Sequence, residues 1–316
     1  MPKPQLLLAL LAPAAVAAQD LPAYVPINPV LASRSAIYFQ PIVSPADGWR
    51  TSITVDYSNA IERTMEPGRR QYLFDAELMQ VDFWLRRDLS RDWFLVGNVA
   101  VRSAHDGFLD SFLNWYHDVI GLPVPARNAR PSDTYGWQFA LPTGVYDIPR
   151  ESAFIGDARL GIGHRIGPVQ VVATATLPTA SNRNPEWSRN TVGTALAVSA
   201  TALSTNRVGI EVGGSIGYTP THDELADYQR SVFAAGTAGL KWRFWGQQVV
   251  FGSLLVQSGN WKETGFSTMD DPEVTLDFGG LLQLKRGWPR LQVGMTEDLL
   301  PRGPSIDAGF RLGLHW

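Results

Sequence analysis

Cysteine is absent from the 316 residues. Disulfides, thiolate metal centres and cysteine nucleophiles are thereby excluded, and no other residue pattern calls for a metal or a cofactor. Past the N-terminus there is no run of about 18 uninterrupted apolar residues of the kind that crosses a bilayer as a helix. An excess of one charge is missing as well: 27 Lys and Arg face 30 Asp and Glu, for a formal net charge of -3. With no basic tract or basic domain, a nucleic-acid partner is not indicated. No P-loop, dinucleotide fingerprint, zincin helix or EF-hand loop occurs.

What the chain does have is glycine (29), proline (22) and tryptophan (11), a composition of many strands and turns. The first residues read as an export signal. Lys3 supplies a weak positive start, Leu6 to Val16 an apolar core too short to span, and Val16, Ala17 and Ala18 a small-residue cleavage site. Residues 1–18 are expected to be removed after Sec-type export.

Beyond residue 48 the dominant pattern has period two. In GWRTSITVDYS, Trp49, Thr51, Ile53, Val55 and Tyr57 share one face, and Arg50, Ser52, Thr54, Asp56 and Ser58 the other. The division recurs with Leu95, Val99 and Val101 against Asn98 and Arg102. It recurs again with Phe154, Ala158, Leu160 and Ile162 against Asp157, Arg159 and Arg165. The last strand sets Phe310, Leu312, Leu314 and Trp316 against Asp307, Arg311 and His315. A soluble sandwich alternates too. These strands, however, run to ten or more residues, what a tilted strand needs to cross a hydrocarbon layer, against about five or six in globular proteins. Aromatics also mark the strand ends, as in the girdles of outer-membrane barrels.

Short connections near residues 87–92, 166–168, 204–206, 245–247 and 286–289 alternate with longer polar ones at 59–69, 179–190, 219–229 and 259–272, and with the much longer 105–152. Bacterial barrels place short turns in the periplasm, long loops outside and both termini inside, with an even strand number. Counting back from Trp316 predicts an all-β transmembrane antiparallel β-barrel of about twelve strands over residues 49–316. The predicted starts lie near residues 49, 70, 91, 153, 168, 191, 206, 231, 247, 273, 288 and 305. Residues 19–48 become a periplasmic N-terminal segment, and TYGWQFAL from Thr134 part of the long outer loop. Trp49, Trp93, Trp242, Trp288 and Trp316 fall at periplasmic strand ends as interface anchors. In the second strand the apolar set changes from Tyr72, Phe74, Ala76 and Leu78 to Val81, Phe83 and Leu85, which predicts a β-bulge near Met79 or Gln80.

With apolar faces toward lipid, the lumen is expected to be lined by Arg50, Asp56, Asp75, Glu77, Arg102, Asp157, Arg159, Glu211, Lys241, Arg243, Asp277 and Arg311. Asp307 belongs to the same face. Both signs occur in comparable number, favouring internal ion pairs over a single-sign field. The long loop carries HDGFLDSFLNWYHDVIGLPVPARNARP, where Asp106 is expected to cap a short helix stopped by Gly121 and Pro123. Its Phe108, Phe112, Trp115, Tyr116 and Val119 must hide in the barrel mouth, against other loops or in the lipid interface. With His117 and Asp118 they form a candidate lid.

GWRTSITVDYSNA, YLFDAELMQVDFWLR, DGFLDSFLNWYHDVIGLPVPAR and FIGDARLGIGHRI resemble an uncharacterised Gram-negative family of outer-membrane β-barrels known as a domain of unknown function. Gly156 and Asp157, with Leu177, Pro178, Thr179 and Ala180, more weakly resemble the outer-membrane family linked to meta-pathway aromatic degradation, where glycine is commoner than alanine at the last position. The apolar terminal strand ending in Trp316 resembles the signal such barrels present to their assembly machinery. These resemblances imply outer-membrane lipid and that machinery as partners, and neither brings a catalytic residue. The reading that follows is a channel or binding protein for a small solute, a hydrophobic one included, gated by residues 105–152. The alternatives are a sealed barrel with a structural or surface role, and a hydrolase using His105 with Asp106, His117 with Asp118 or His222 with Asp223.

Overall fold

The computed structural model describes residues 39, 41–65, 71–121, 124, 127, 130–184, 186–299 and 306–316. The predicted signal segment lies outside the described residues. Fifteen strands follow in order: β1 (Trp49–Met65), β2 (Gln71–Asp88), β3 (Trp93–His105), β4 (Gly136–Leu141), β5 (Gly144–Asp147), β6 (Glu151–Ile155), β7 (Ala158–Ile166), β8 (Val169–Leu177), β9 (Gly193–Ser204), β10 (Val208–Tyr218), β11 (Val232–Trp245), β12 (Gln248–Gln257), β13 (Glu273–Leu282), β14 (Arg290–Asp298) and β15 (Ala308–His315). Two helices, α1 (Asp110–Ile120) and α2 (Ser267–Asp270), sit in connections.

Neighbours in sequence pair antiparallel around the whole sheet, and β1 pairs with β15 from Ser52–His315 to Asn59–Ala308. This pairing closes the barrel and leaves no edge along the seam, as a strand structure in lipid requires. β6 and β7 share one crossing, while β4 and β5 form a separate hairpin, so the wall has twelve crossings. The TYGWQFAL segment is indeed not a crossing: β4 adds to the edge of β2 from Tyr72–Phe139 to Asp75–Gly136, above the point where β3 ends.

The polar segment expected at 59–69 is mostly strand. β1 has 17 residues and β2 has 18, roughly 55 Å at about 3.3 Å per residue. A hydrocarbon core is about 30 Å thick, so even when tilted the long-loop end of this hairpin stands clear of it. Outside lipid the rule for the two faces reverses. In the lower wall the outward side chains are apolar and exposed, as at Ile53, Phe83, Leu85, Val250, Phe278 and Leu312. In the upper part of β2 the inward Tyr72, Phe74, Ala76 and Leu78 join a buried core, and Asp75 and Glu77 face outward.

That reversal explains the apolar switch in β2. No bulge exists there, because the register with β1 and with β3 is unbroken through Met79 and Gln80. A bulge does occur in the fourth crossing. β6 pairs with β3 as Ile155–Val101, and β7 pairs with β3 as Arg159–Asn98, one residue out of step across Gly156 and Asp157. Phe154, expected to share an outward face with Leu160, therefore points inward and is buried, while Ile155 is exposed.

Of the 19–48 segment, residues 19–38 and 40 lie outside the described residues; residues 39 and 41–48 are not outside the barrel, as the sequence suggested. The Ala46 amide donates to Asp88 at 3.0 Å, Arg50 donates to the Ser44 carbonyl, and Gln170 Nε2 lies 3.3 Å from the Pro41 carbonyl. Phe39 is buried against Phe233 and Leu255. Because Arg50, Gln170, Phe233 and Leu255 all face inward, residues 41–48 run back up the lumen from the short-turn end. Inward guanidinium and amide groups bind carbonyls that have no strand partner, an interaction without a periodic signal in sequence.

Candidate functional site: the lumen and its outer cap

The lumen has three levels. At the long-loop end, β4 turns Trp137, Phe139 and Leu141 inward, where they meet Tyr72 and Phe74 of β2 and Trp187, Trp261, Phe266 and Met269 from the loops. Trp137 and Trp187 are in edge contact with ring centres 5.3 Å apart, and Phe139 meets Trp261 at 5.7 Å. The cap is an apolar core of the kind found inside soluble proteins. The indole nitrogens of Trp137 and Trp187 have no hydrogen-bond partner among the described residues. Tyr135, beside the cap, lies 2.9 Å from the Pro149 carbonyl, and burial pushes its phenol up, with Glu151 adding to the shift. Asp270 ties the 259–272 loop together by accepting from the amide and hydroxyl of Thr264 at 3.0 and 2.8 Å. Burial pushes its carboxyl up against those bonds.

The middle level is an ion-pair belt. Arg311 Nε is 2.6 Å from Asp56, and Arg311 Nη1 is 2.9 Å from Asp277, which also accepts from Thr296 at 3.1 Å. Beside it on β2 and β3, where Gln80 is the register partner of Asp56, Arg102 donates to Gln80 at 2.7 Å, Gln80 to Asp82 at 2.5 Å and Asn98 to Asp82 at 3.0 Å. Buried ions are tolerated because Asp56 and Asp277 share the Arg311 guanidinium and Asp82 accepts from two amide groups.

The lowest level narrows around the N-terminal segment. Arg86 and Arg165 stack on inward Phe94, at 3.7 and 4.7 Å from the ring centre. Arg165 also pairs with Asp88, which caps the Ala46 amide.

The candidate lid helix is in neither the mouth nor the lumen. It lies against the outer wall, where Arg127 and Arg130 of the same connection also bind, so the described residues 107–121, 124, 127 and 130–135 form a strap. Phe108 stacks on Tyr57 with ring centres 5.3 Å apart, and Phe112 meets Phe310 edge-on at 5.9 Å, both partners being outward. Asp110, Leu113 and His117 are the buried face. Arg127 fastens it, bonding Asp110 at 2.8 Å, Asn59 at 2.6 Å and Asp307, while His117 Nε2 sits 3.5 Å from Asp307. Glu77 accepts the Phe108 and Leu109 amides, and Arg130 pairs with Asp75. The expected cap Asp106 instead pairs with Arg150 at 2.7 Å, and α1 begins after Leu109 without a side-chain cap. Gly121 does end it, in the left-handed region at φ 73.

Residues 38–316 match the model of a protein family described as a protein of unknown function (DUF3187). The chain belongs to that family. No curated protein sequence matches it. Among solved structures it is similar to the COG4313 outer membrane channel from Pseudomonas putida F1, with a TM-score of 0.54 and 12% identity, covering 89% of this chain and 97% of that one. At that identity the likeness shows a shared barrel fold. Lower scores relate it to the Ralstonia pickettii toluene transporter TbuX (0.43, 8% identity, 86% of this chain and 90% of that one). The Pseudomonas putida toluene transporter TodX scores 0.42 at 8% identity, over 94% of this chain and 97% of that one.

In this family member, nine of the twelve predicted lumen residues face inward: Arg50, Asp56, Arg102, Arg159, Glu211, Lys241, Arg243, Asp277 and Arg311. Asp56, Asp277 and Arg311 come together; Glu211, Lys241 and Arg243 stand on the β10–β11 side. Asp157 lies in the bulge, where it accepts from the Ala180 amide at 2.9 Å and the Ser188 hydroxyl at 2.7 Å and so anchors a loop. Asp75, Glu77 and Asp307 are outside, under the strap, because that part of the wall lies above the lipid-facing belt. The anchors Trp49, Trp93, Trp242, Trp288 and Trp316 are all exposed at the short-turn end. Of the His–Asp neighbours, His117 faces Asp307 and Glu297. Sequence reasoning missed the aromatic cap entirely, although the cluster of aromatics in TYGWQFAL was a visible signal.

Proposed function

We propose that the protein is an outer-membrane channel for a small apolar solute, closed at both ends in this structure. The observation that carries the reading is the lining of the outer mouth. Where an aqueous pore presents charged or open walls, this one presents Tyr72, Phe74, Trp137 and Phe139, a surface that takes up an apolar or aromatic molecule by exchanging like for like. The cap's inner layer hangs on β4, which has only four register positions with the wall, so the hairpin is the element best placed to move. Gating by residues 105–152 thus divides in two: residues 136–147 close the mouth, and α1 with Arg127 and Arg130 straps the outside. The fold shared with an outer membrane channel of Pseudomonas putida F1 agrees with passage of a solute, and the family supplies no activity. A Gram-negative outer membrane reached by Sec-type export, with short turns in the periplasm and Trp316 presented to the assembly machinery, completes the proposal.

A sealed barrel is the second reading, favoured by the ion belt and the threaded N-terminal segment. Vesicles reconstituted with the full chain decide between them. Uptake of toluene or a comparable probe above that of empty vesicles, increased by deleting residues 136–147, supports the channel. No uptake by either protein overturns it in favour of the sealed barrel.

A further inference from the structure

A groove of about 770 Å³ is recessed into the outward side of β1, β2, β3 and β7. Its floor is low at Thr51 of β1, Gly97 of β3 and Ala158 of β7, which carry little side chain, while Phe83 and Leu85 of β2 and Leu160 of β7 stand up around them. Trp316 closes one end. The floor residue Thr51 is two positions along the same face from Trp49, so the groove sits immediately above the tryptophan girdle.

Two positions beyond Leu85, on the same outward face of β2, is Arg87. It is exposed, its guanidinium lies 5.0 Å from the centre of the Trp49 ring, and it makes no ion pair among the described residues. The adjacent carboxylate is turned away from it: Asp88 faces the lumen and is held there by Arg165 and the Ala46 amide. A recess for a hydrocarbon chain thus ends in a cation at the level of the lipid head groups.

We propose that this groove binds one anionic phospholipid of the periplasmic leaflet, with an acyl chain laid over Gly97 and its phosphate on Arg87. A smooth barrel wall gains nothing by exchanging one lipid for another, since the tails are as apolar as the wall. A recess with a raised rim differs, because it surrounds a chain with atoms on three sides and collects dispersion contacts a flat wall does not make. The phosphate adds a charge-assisted bond to a guanidinium already oriented by stacking on Trp49. Continuity of the groove with the bilayer and the Trp49-stacked guanidinium of Arg87 at its head group end favour a lipid over a diffusing solute.

The proposal rests on the membrane orientation given above, which is checked separately. Leu89→Cys, in the β2–β3 turn, must stay unlabelled by an impermeant maleimide in intact cells; labelling there overturns the orientation. For the groove itself, the full chain is released from vesicles of equal phosphatidylglycerol and phosphatidylethanolamine, and retained lipid is read by native mass spectrometry. Gly97→Leu fills the floor, and an added Cβ there meets nothing closer than the Leu160 side chain at 3.5 Å, so the wall tolerates it. Ala158→Leu is a second filling variant, Arg87→Ala removes the cation, and Gly252→Leu, where an added Cβ meets nothing within 4 Å, adds the same bulk on the opposite wall as control. Wild type and Gly252→Leu are expected to retain one phosphatidylglycerol, the filling variants at least tenfold less, and Arg87→Ala no preference between the two lipids. Equal retention by wild type and both filling variants, or no preference in the wild type, overturns the proposal, as does displacement of the lipid by toluene.

Discussion

Arg311 on the last strand donates through Nε to Asp56 on the first, 2.6 Å away, so the two ends of the barrel wall are joined by charge as well as by backbone. The same guanidinium holds Asp277 of β13 at 2.9 Å, and all three side chains are buried. The contact spans 255 positions of sequence and forms only when the seam closes.

Arg311→Leu is expected to leave two buried carboxylates without their cation, at a cost of about 3–5 kcal/mol. A lower unfolding midpoint in heat-modifiable gel migration checks this. Arg311→Leu combined with Asp56→Asn and Asp277→Asn should recover much of the loss; if it recovers none, the pairing is not what Arg311 contributes.

The outer strap depends on Gly107. Its φ of 64 belongs to the left-handed region, and a Cβ there would overlap the Glu77 carboxylate that receives the Phe108 and Leu109 amides. Gly107→Ala should therefore free the strap, and Arg127→Ala should do so from its other end. Limited proteolysis of membranes is expected to cut within residues 107–135 in both variants while the barrel core stays resistant. Unchanged cleavage in both would show that the strap is held by something else.

Trp137→Ala and Phe139→Ala together remove two cap side chains that are 1% and 0% exposed. Each such truncation in a packed core costs about 3–5 kcal/mol, and here it is local to the mouth. Vesicle uptake of a small apolar probe should rise while heat-modifiable migration persists. A double variant that folds and shows no rise would remove the cap from the gating scheme.

The lumenal course of the N-terminal segment is testable because the chain has no native cysteine. In membranes, Phe39→Cys is expected to react with an impermeant maleimide at least tenfold more slowly than Leu89→Cys. Equal rates would place the segment outside the barrel.

Which side of a strand meets lipid has its own measurement. Phe278 is outward and Thr275 inward on β13. Phe278→Lys should destabilise the barrel by about 2–4 kcal/mol if it lies near the bilayer midplane. Urea unfolding in lipid checks the value, and a change below about 0.5 kcal/mol would contradict the lipid-facing assignment.

Much of the barrel was legible because period-two alternation survives wherever one face touches lipid. The β13 and β15 strands, the tight turn at Gly167 and the count of twelve crossings all rest on that local signal. The reading failed where the alternation kept its period but exchanged its meaning. Tyr72, Phe74 and Asp75 look in sequence like a lipid face and a lumen face, and in the folded chain they are a core and an outer wall. The two arrangements differ by a shift in height, which no residue spacing encodes, and the apparent change of phase was attributed to a bulge in β2. The true bulge at Gly156 and Asp157 passed unnoticed because Phe154 and Leu160 both suit an apolar site.

The helix of the long loop shows the same division. Its existence and its stop at Gly121 were readable, since helix ends depend on local backbone preferences. Its docking was not: the face toward the barrel carries Asp110 and His117 with Leu113, while Trp115 and Val119 face away, at 59% and 65% exposed. The sequence by itself therefore determined the strands, their order and the closing of the cylinder, because those follow from neighbours along the chain and from alternating side chains. Only the tertiary structure decided what fills the cylinder and what is strapped to it. Arg127 with Asp307, Trp137 with Trp187 and Phe39 with Phe233 are contacts between distant segments, selected by the shape the closed wall leaves available.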